Sequence, residues 1–186
     1  MAMPVAAHRW TIDERDALPD DLRRREILHG ELLVTPAPGA AHQRLVSRLN
    51  RALEDYVAVH RIGTVLLAPY DIVWSPHLVL EPDLLVVPAK ETELGRRWAG
   101  KVPPTLVIEV VSASSRRRDY RAKRDFYAAG NVRECWIVDL AKRQVTVVRP
   151  GTADQQFTTR LEWQPAGADV PFSLDIVALF SALPAA

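Results

Sequence analysis

Two carboxylates stand where apolar strand residues are due. Asp83 lies between Pro82 and the run Leu84-Leu85-Val86-Val87, and Glu109 lies inside Leu106-Val107-Ile108-Glu109-Val110-Val111. A buried charge without a partner is costly, so each must face outward, pair with an arginine, or belong to a site. If neighbouring strands bring the two together, they repel unless a cation lies between them or one takes up a proton. An all-oxygen pair of this kind suits Mg2+ or Mn2+ rather than zinc.

A third group follows in the chain. At roughly 100° per residue, Arg116, Tyr120, Lys123 and Tyr127 fall within about 60° of one another on a helix, beside an apolar face of Ala122, Phe126 and Ala129. Lys123 therefore sits at the edge of the buried face, where its stem can pack and its ammonium can reach a carboxylate or a phosphate. A solvated helix lysine is the plainer alternative. Arg117, Arg121 and Arg124 form a separate stripe directed to solvent. Arg116-Arg117-Arg118 at the helix start oppose the positive end of its dipole, a penalty that a nearby phosphate backbone would relieve.

Other chemistries find less support. The single cysteine, Cys135, rules out an internal disulfide and a cysteine metal cluster. His29, His42, His60 and His77 lie on different elements without metal-ligand spacing. Ser112, Ser114 and Ser115 lack a G-x-S-x-G elbow and read as the loop and N-cap before the helix. Trp74 and Trp136 read as core residues, whereas the polar segment Arg96-Arg97-Trp98 leaves Trp98 open to exposure.

The elements that must hold these residues are legible as a pattern. Glu26-Ile27-Leu28 and Glu31-Leu32-Leu33-Val34 flank His29-Gly30, which predicts a β-hairpin. From His42 to Val59, Leu45, Val46, Leu49, Leu53, Tyr56 and Val57 recur at three- and four-residue intervals, the mark of an amphipathic helix. Thr64 to Trp74, Leu78 to Val87 and Thr105 to Val111 read as strands, the last apolar enough to be central. A helix over Arg117 to Ala129, stopped at Gly130-Asn131, precedes strands at Arg133 to Leu140 and Gln144 to Arg149. A strand at Phe157 to Trp163 and a short helix at Leu174 to Phe180 close the chain. Strand, helix and strand in succession predict an α/β fold with a mixed central sheet flanked by helices.

With 186 residues, 48% hydrophobic and 25% charged, the expectation is a single domain over 1–186, with a loosely ordered extension at 1–24 and a core at 25–180. A net charge of +1 does not announce a nucleic-acid binder, so such a role must rest on local charge. No apolar run approaches the roughly 20 residues of a membrane span, and no secretion signal is readable at the N-terminus. A soluble, cytoplasmic protein with no membrane partner is expected.

The segments GEL at 30–32, HQRLVSRL at 42–49, EPDLLVV at 81–87 and PTLVIEVVSASSRRRDYRAKRDFYAAGNVRECWIVD at 104–139 carry a resemblance. The chain resembles the Uma-two family of restriction-endonuclease-like proteins, a branch of the PD-(D/E)XK nuclease superfamily, from about Arg25 to Pro150 and more weakly to Phe180. The resemblance implies a restriction-endonuclease-like fold and a Mg2+- or Mn2+-dependent endonuclease acting on DNA. It makes Pro82-Asp83 the PD element and Glu109 the second acidic residue, with the Val110 carbonyl facing the metal. Val111 stands where the motif's lysine belongs. Lys123, in Lys123-Arg124-Asp125-Phe126-Tyr127, matches the family's migrated lysine, with Tyr127 as an auxiliary group. Glu31, by itself a hairpin surface residue, matches a recurring acidic position that would hold a metal-bound water or orient a metal ligand. Arg116, Arg117, Arg121 and Arg124 are the expected nucleic-acid contacts, and a homodimer would present one centre to each strand of a duplex. Two alternatives stay open. One is a catalytically silent nucleic-acid-binding module of the same fold. The other is an assembly protein in which Asp83 and Glu109 are buried partners of arginines such as Arg133 or Arg116.

Overall fold

The computed structural model describes residues 8–21, 23–89, 95–99, 102–111, 117–181 and 183. Its centre is a six-stranded mixed sheet in the order β11-β10-β9-β8-β6-β3. These strands are β3 (Gly63–Leu67), β6 (Leu84–Pro88), β8 (Leu106–Val111), β9 (Cys135–Asp139), β10 (Gln144–Val148) and β11 (Gln155–Phe157). β8 and β9 run parallel and are joined through helix α3 (Arg117–Phe126). The other pairs are antiparallel. This is the expected restriction-endonuclease-like architecture, with Glu109 on a central strand.

Side-chain alternation gives this sheet two buried faces. On one, Leu84, Val86, Ile108, Val110, Trp136 and Val138 pack against Leu45, Leu49, Leu53 and Val57 of α2 (Ala40–His60). Each of those four helix side chains is at most 2% exposed, so each contributes about 1.5–3 kcal/mol of apolar burial. The ribbon of β12 (Arg160–Trp163) and β13 (Phe172–Asp175), with α4 (Ile176–Phe180), covers the rest of that face. On the other, Leu85, Val107, Cys135 and Ile137 meet Phe126 and Tyr127 and a second sheet.

That second sheet has the order β2-β1-β5-β4-β7, built from β1 (Arg24–Leu28), β2 (Glu31–Thr35), β4 (Asp71–Ser75), β5 (Leu78–Leu80) and β7 (Arg97–Trp98). The predicted hairpin is β1-β2, with full register from Arg24↔Thr35 to Leu28↔Glu31. His29 and Gly30 have φ of 54° and 89°, the left-handed pair that a two-residue reversal requires. Two segments read from sequence as single strands are each divided. Thr64 to Trp74 becomes β3 and β4, and Leu78 to Val87 becomes β5 and β6, with each half in a different sheet. Periodicity records that a stretch is extended and apolar, not which sheet it joins. The second division falls at Glu81-Pro82-Asp83, so Asp83 stands at the corner where the chain passes between sheets. Phe157 to Trp163 is likewise divided, into β11 and β12.

The other departures are local. Within 1–24, expected to be loosely ordered, α1 (Ile12–Asp16) begins with a capping box between Thr11 and Glu14. Its buried Arg15 donates to both oxygens of Asp71, at 3.0 and 2.6 Å. α3 ends by widening into a π turn over Tyr127–Asn131, where Asn131 Nδ2 donates to the Phe126 carbonyl at 2.8 Å. Trp98 is 4% exposed and packs in the core between the sheets, so the exposure its polar segment left open is not found. No described helix is long and apolar enough to cross a membrane.

Candidate metal centre

The antiparallel register Leu84↔Ile108 between β6 and β8 puts Asp83, one step further, opposite Glu109 on the face that looks toward the second sheet. Both carboxylates are buried, at 2% and 6% exposure. β6 has ended at this point, and the ladder is continued by a side chain: the Val110 N–H donates to Asp83 Oδ2 at 2.7 Å. Val107 bonds its N–H toward β9 and Val111 its carbonyl, so strand alternation turns the N–H and carbonyl of Val110 to the Asp83 side.

The remaining partners arrive from three other elements. Arg24 of β1 donates Nη2 to Asp83 Oδ1 at 2.6 Å and lies 3.1 Å through Nε from Glu81 Oε1. His42, in the first turn of α2, has Nε2 3.1 Å from Asp83 Oδ2. A carboxylate only accepts, so this nitrogen carries the proton, which leaves the buried Nδ1 without a partner among the described residues. Lys123 of α3 lies with Nζ 3.1 and 3.3 Å from the two Glu109 oxygens and 2.6 Å from Glu26 Oε1. Tyr127, one turn further, donates its hydroxyl to Glu109 Oε1 at 2.8 Å.

Lys123 thus meets Glu109 from a helix packed over the strand, while Val111, on the same face of β8, is half-buried against the apolar cluster. Arg24, Glu26 and His42 were not singled out from sequence. Arg24 and Glu26 follow Arg23 in a run that reads as solvated charge. The available signal was their spacing by two, together with Leu28, on a strand whose Leu28 belongs to the core. Glu31 shares the hairpin face of Glu26 through its pairing with Leu28, at the exposed end of that face. Among the arginines, Arg121 is exposed. Arg124 is held by Asp154 at 3.0 and 2.5 Å and by Asp125 at 2.9 Å. Arg116 and the side chain of Arg117 lie outside what the structure describes. Among the described arginines it is Arg24 that is found on Asp83, and Arg133 is exposed.

The two facing carboxylates are held in opposite directions. Burial pushes Asp83 up, but the His42 hydrogen bond, the Arg24 guanidinium and the Val110 N–H outweigh it and hold the acid at about 2. Burial pushes Glu109 up to about 7: Lys123 opposes the rise, while Glu26 and Asp83 add to it. For Lys123, burial favours the neutral form, but Glu109 and Glu26 override it and raise the ammonium above its ordinary value.

Four carboxylates, Glu26, Glu81, Asp83 and Glu109, meet here with two permanently suited cations, Arg24 and Lys123. Such an all-oxygen set with negative charge in excess fits a hard divalent cation in its chemistry. In geometry, both oxygens of Asp83 and of Glu109 already have protein donors. Among the described residues, no three His, Cys, Asp or Glu side chains are grouped as ligands for one ion. An ion between Asp83 and Glu109 would have to displace Arg24 or His42 from Asp83.

The family model described as "Uma2: Putative restriction endonuclease" matches residues 12–177. The chain belongs to this family. The match places it in the PD-(D/E)XK nuclease superfamily, as the resemblance in its motifs implied. A solved structure described as "a putative nuclease belonging to DUF820 from Anabaena variabilis" is similar over 94% of this chain and 99% of that one, with a TM-score of 0.79. At 21% identity, that likeness speaks for the fold. No curated protein matches the chain.

Proposed function

We propose that this member of the family is a divalent-metal-dependent endonuclease that hydrolyses phosphodiester bonds of DNA at Asp83, Glu109 and Lys123. One observation carries the reading: the Lys123 ammonium lies 3.1 Å from Glu109 although the strand position belonging to the motif's lysine is Val111. Asp83, Glu109 and the Val110 carbonyl would hold Mg2+ or Mn2+, which when bound supplies a Lewis acid for the phosphodiester and lowers the pKa of the attacking water. Lys123 then donates to that water or to the phosphoryl oxygens as negative charge develops on them. A fixed ammonium in a site closed to solvent stabilises that charge without reorganising. Tyr127 keeps Glu109 Oε1 oriented, and the Val110 N–H does the same for Asp83. Arg116, Arg117 and Arg121 are the proposed phosphate contacts. Arg124 would join them only by leaving Asp154.

A second reading is favoured by the Arg24–Asp83 pair, which already neutralises the metal-facing carboxylate. In that reading the chain binds nucleic acid without cutting it. Plasmid cleavage and Mn2+ calorimetry separate the two. The endonuclease shows Mg2+- or Mn2+-dependent nicking that EDTA abolishes, and Asp83→Ala, Glu109→Ala or Lys123→Ala lowers its rate by about 100-fold or more. DNA binding with no heat of Mn2+ binding identifies the silent module, and cleavage that survives EDTA refutes the metal centre.

A further inference from the structure

We propose that Glu26 is the positioning residue that lets a helix-borne lysine serve this centre, its carboxylate fixing the Lys123 ammonium against Glu109. The inference rests on the endonuclease reading and deepens it. A lysine on the strand beside Glu109 would have its root set by the sheet ladder. Lys123 instead stands on α3, at the end of a flexible four-carbon stem, and needs a second anchor to stay in one place.

Glu26 supplies that anchor. Its Oε1 lies 2.6 Å from Lys123 Nζ, closer than either oxygen of Glu109. Glu26 is itself 2% exposed and held in turn, since the backbone N–H of Glu81 donates to the same oxygen at 2.8 Å. An ammonium has three N–H donors. One goes to Glu26 and one is shared between the two Glu109 oxygens, so a third is left for a phosphoryl oxygen or the attacking water. Two residues away on the same face of β1, Arg24 holds Asp83. One strand of the second sheet therefore reaches both halves of the centre, the metal-facing carboxylate through Arg24 and the lysine through Glu26. A carboxylate buried here has a desolvation cost that packing alone does not explain.

The test uses the full chain with Glu26→Gln, which keeps the shape and the acceptor for Glu81, and Glu26→Asp, which keeps the charge. The chain has four lysines, so the lysine ammonium region of a 1H–15N spectrum is simple, and loss of one signal in Lys123→Met assigns it. We expect the Lys123 signal to broaden away in Glu26→Gln and to persist in Glu26→Asp. In Mn2+-dependent cleavage, Glu26→Gln should lower kcat about 10- to 100-fold with KM and Mn2+ affinity unchanged, and Glu26→Asp should recover part of the loss. Melting curves identify any variant that fails to fold, in which case Glu26→Asp carries the comparison. A Lys123 signal and a kcat that both stay at wild-type values in Glu26→Gln overturn the proposal. So does a fall in Mn2+ affinity with the Lys123 signal intact, which would make Glu26 a ligand. If the wild type binds Mn2+ and cuts nothing, the endonuclease reading fails, and the ammonium signal still decides whether Glu26 fixes Lys123.

Discussion

Lys123→Met removes the only described cation on Glu109 and leaves a methionine stem in the same apolar slot. Breaking a buried ion pair by deleting one partner costs about 3–5 kcal/mol, because the other charge stays desolvated. Here the remaining charges are two, Glu109 and Glu26. For a chain of this length each kcal/mol moves Tm by about 2–4 °C, so the expected fall is about 6–20 °C. The loss depends on pH. Glu109 in the fold titrates at about 7 against an ordinary value of 4.5. An acid raised in this way favours the fold by keeping its proton, a contribution that is full below the ordinary value and lost as pH rises through the folded one. Without Lys123, which opposes the rise, Glu109 keeps its proton to higher pH still, and a protonated carboxyl loses little when the ammonium goes. The variant should therefore be destabilised more near pH 8 than near pH 5, about the two sides of this titration. Differential scanning calorimetry across that range is the assay. A Tm within about 1 °C of wild type at both ends would refute the buried Lys123–Glu109 pair.

Two further outcomes follow from the same geometry. Val111→Lys in the Lys123→Met background puts an ammonium on the face of Glu109 two residues along β8, and plasmid nicking should return in part. No recovery with either Mg2+ or Mn2+ would count against the view that the place of the ammonium, rather than the element bearing it, matters. At Gly63 a Cβ would stand 2.0 Å from the Val87 carbonyl oxygen, across the β3–β6 pairing. Gly63→Ala must force those strands apart and should lower Tm by about 4–8 °C, for a cost of roughly 2 kcal/mol. A melt unchanged from wild type would mean the strands do not approach so closely.

What was legible in the sequence follows from which forces act locally. His29-Gly30 could be read because a two-residue reversal demands positive φ, which few residues accept. The long helix could be read because Leu45, Leu49, Leu53 and Val57 keep one period and one buried face. Asp83 and Glu109 stood out because a charge inside an apolar strand needs a reason. Arg24, Glu26 and His42 did not, because Arg24 and Glu26 end a charged run, His42 opens a helix, and what they meet is decided by the packing of distant elements. The corner at Glu81-Pro82-Asp83 lay hidden for a related reason. Apolar residues on both sides of it made one continuous pattern, although β5 and β6 belong to different sheets. Lys123 falls between these cases. Its spacing from Tyr127 marked the edge of a helix face, while its contact with Glu26 depended on long-range packing.

The opposite titration of two facing carboxylates has a structural origin that bears on where a cation would act. Asp83 and Glu109 share a face and similar burial, yet Asp83 accepts from Arg24, His42 and the Val110 N–H, whereas Glu109 accepts from Tyr127 and from a Lys123 that it shares with Glu26. The unmet demand for positive charge is therefore concentrated at Glu109, whose hold on its proton is strengthened by burial and by Glu26 and Asp83. A divalent ion between the two carboxylates would supply that charge and would compete with Arg24 for Asp83 Oδ1. Arg24 need not become unpaired in such an exchange, because its Nε already lies 3.1 Å from Glu81. Glu81 borders Asp83 through Pro82 alone, so the guanidinium can keep one carboxylate while giving up the other. The pairing that makes the centre look closed is in this way arranged so that it can open at the cost of a single contact.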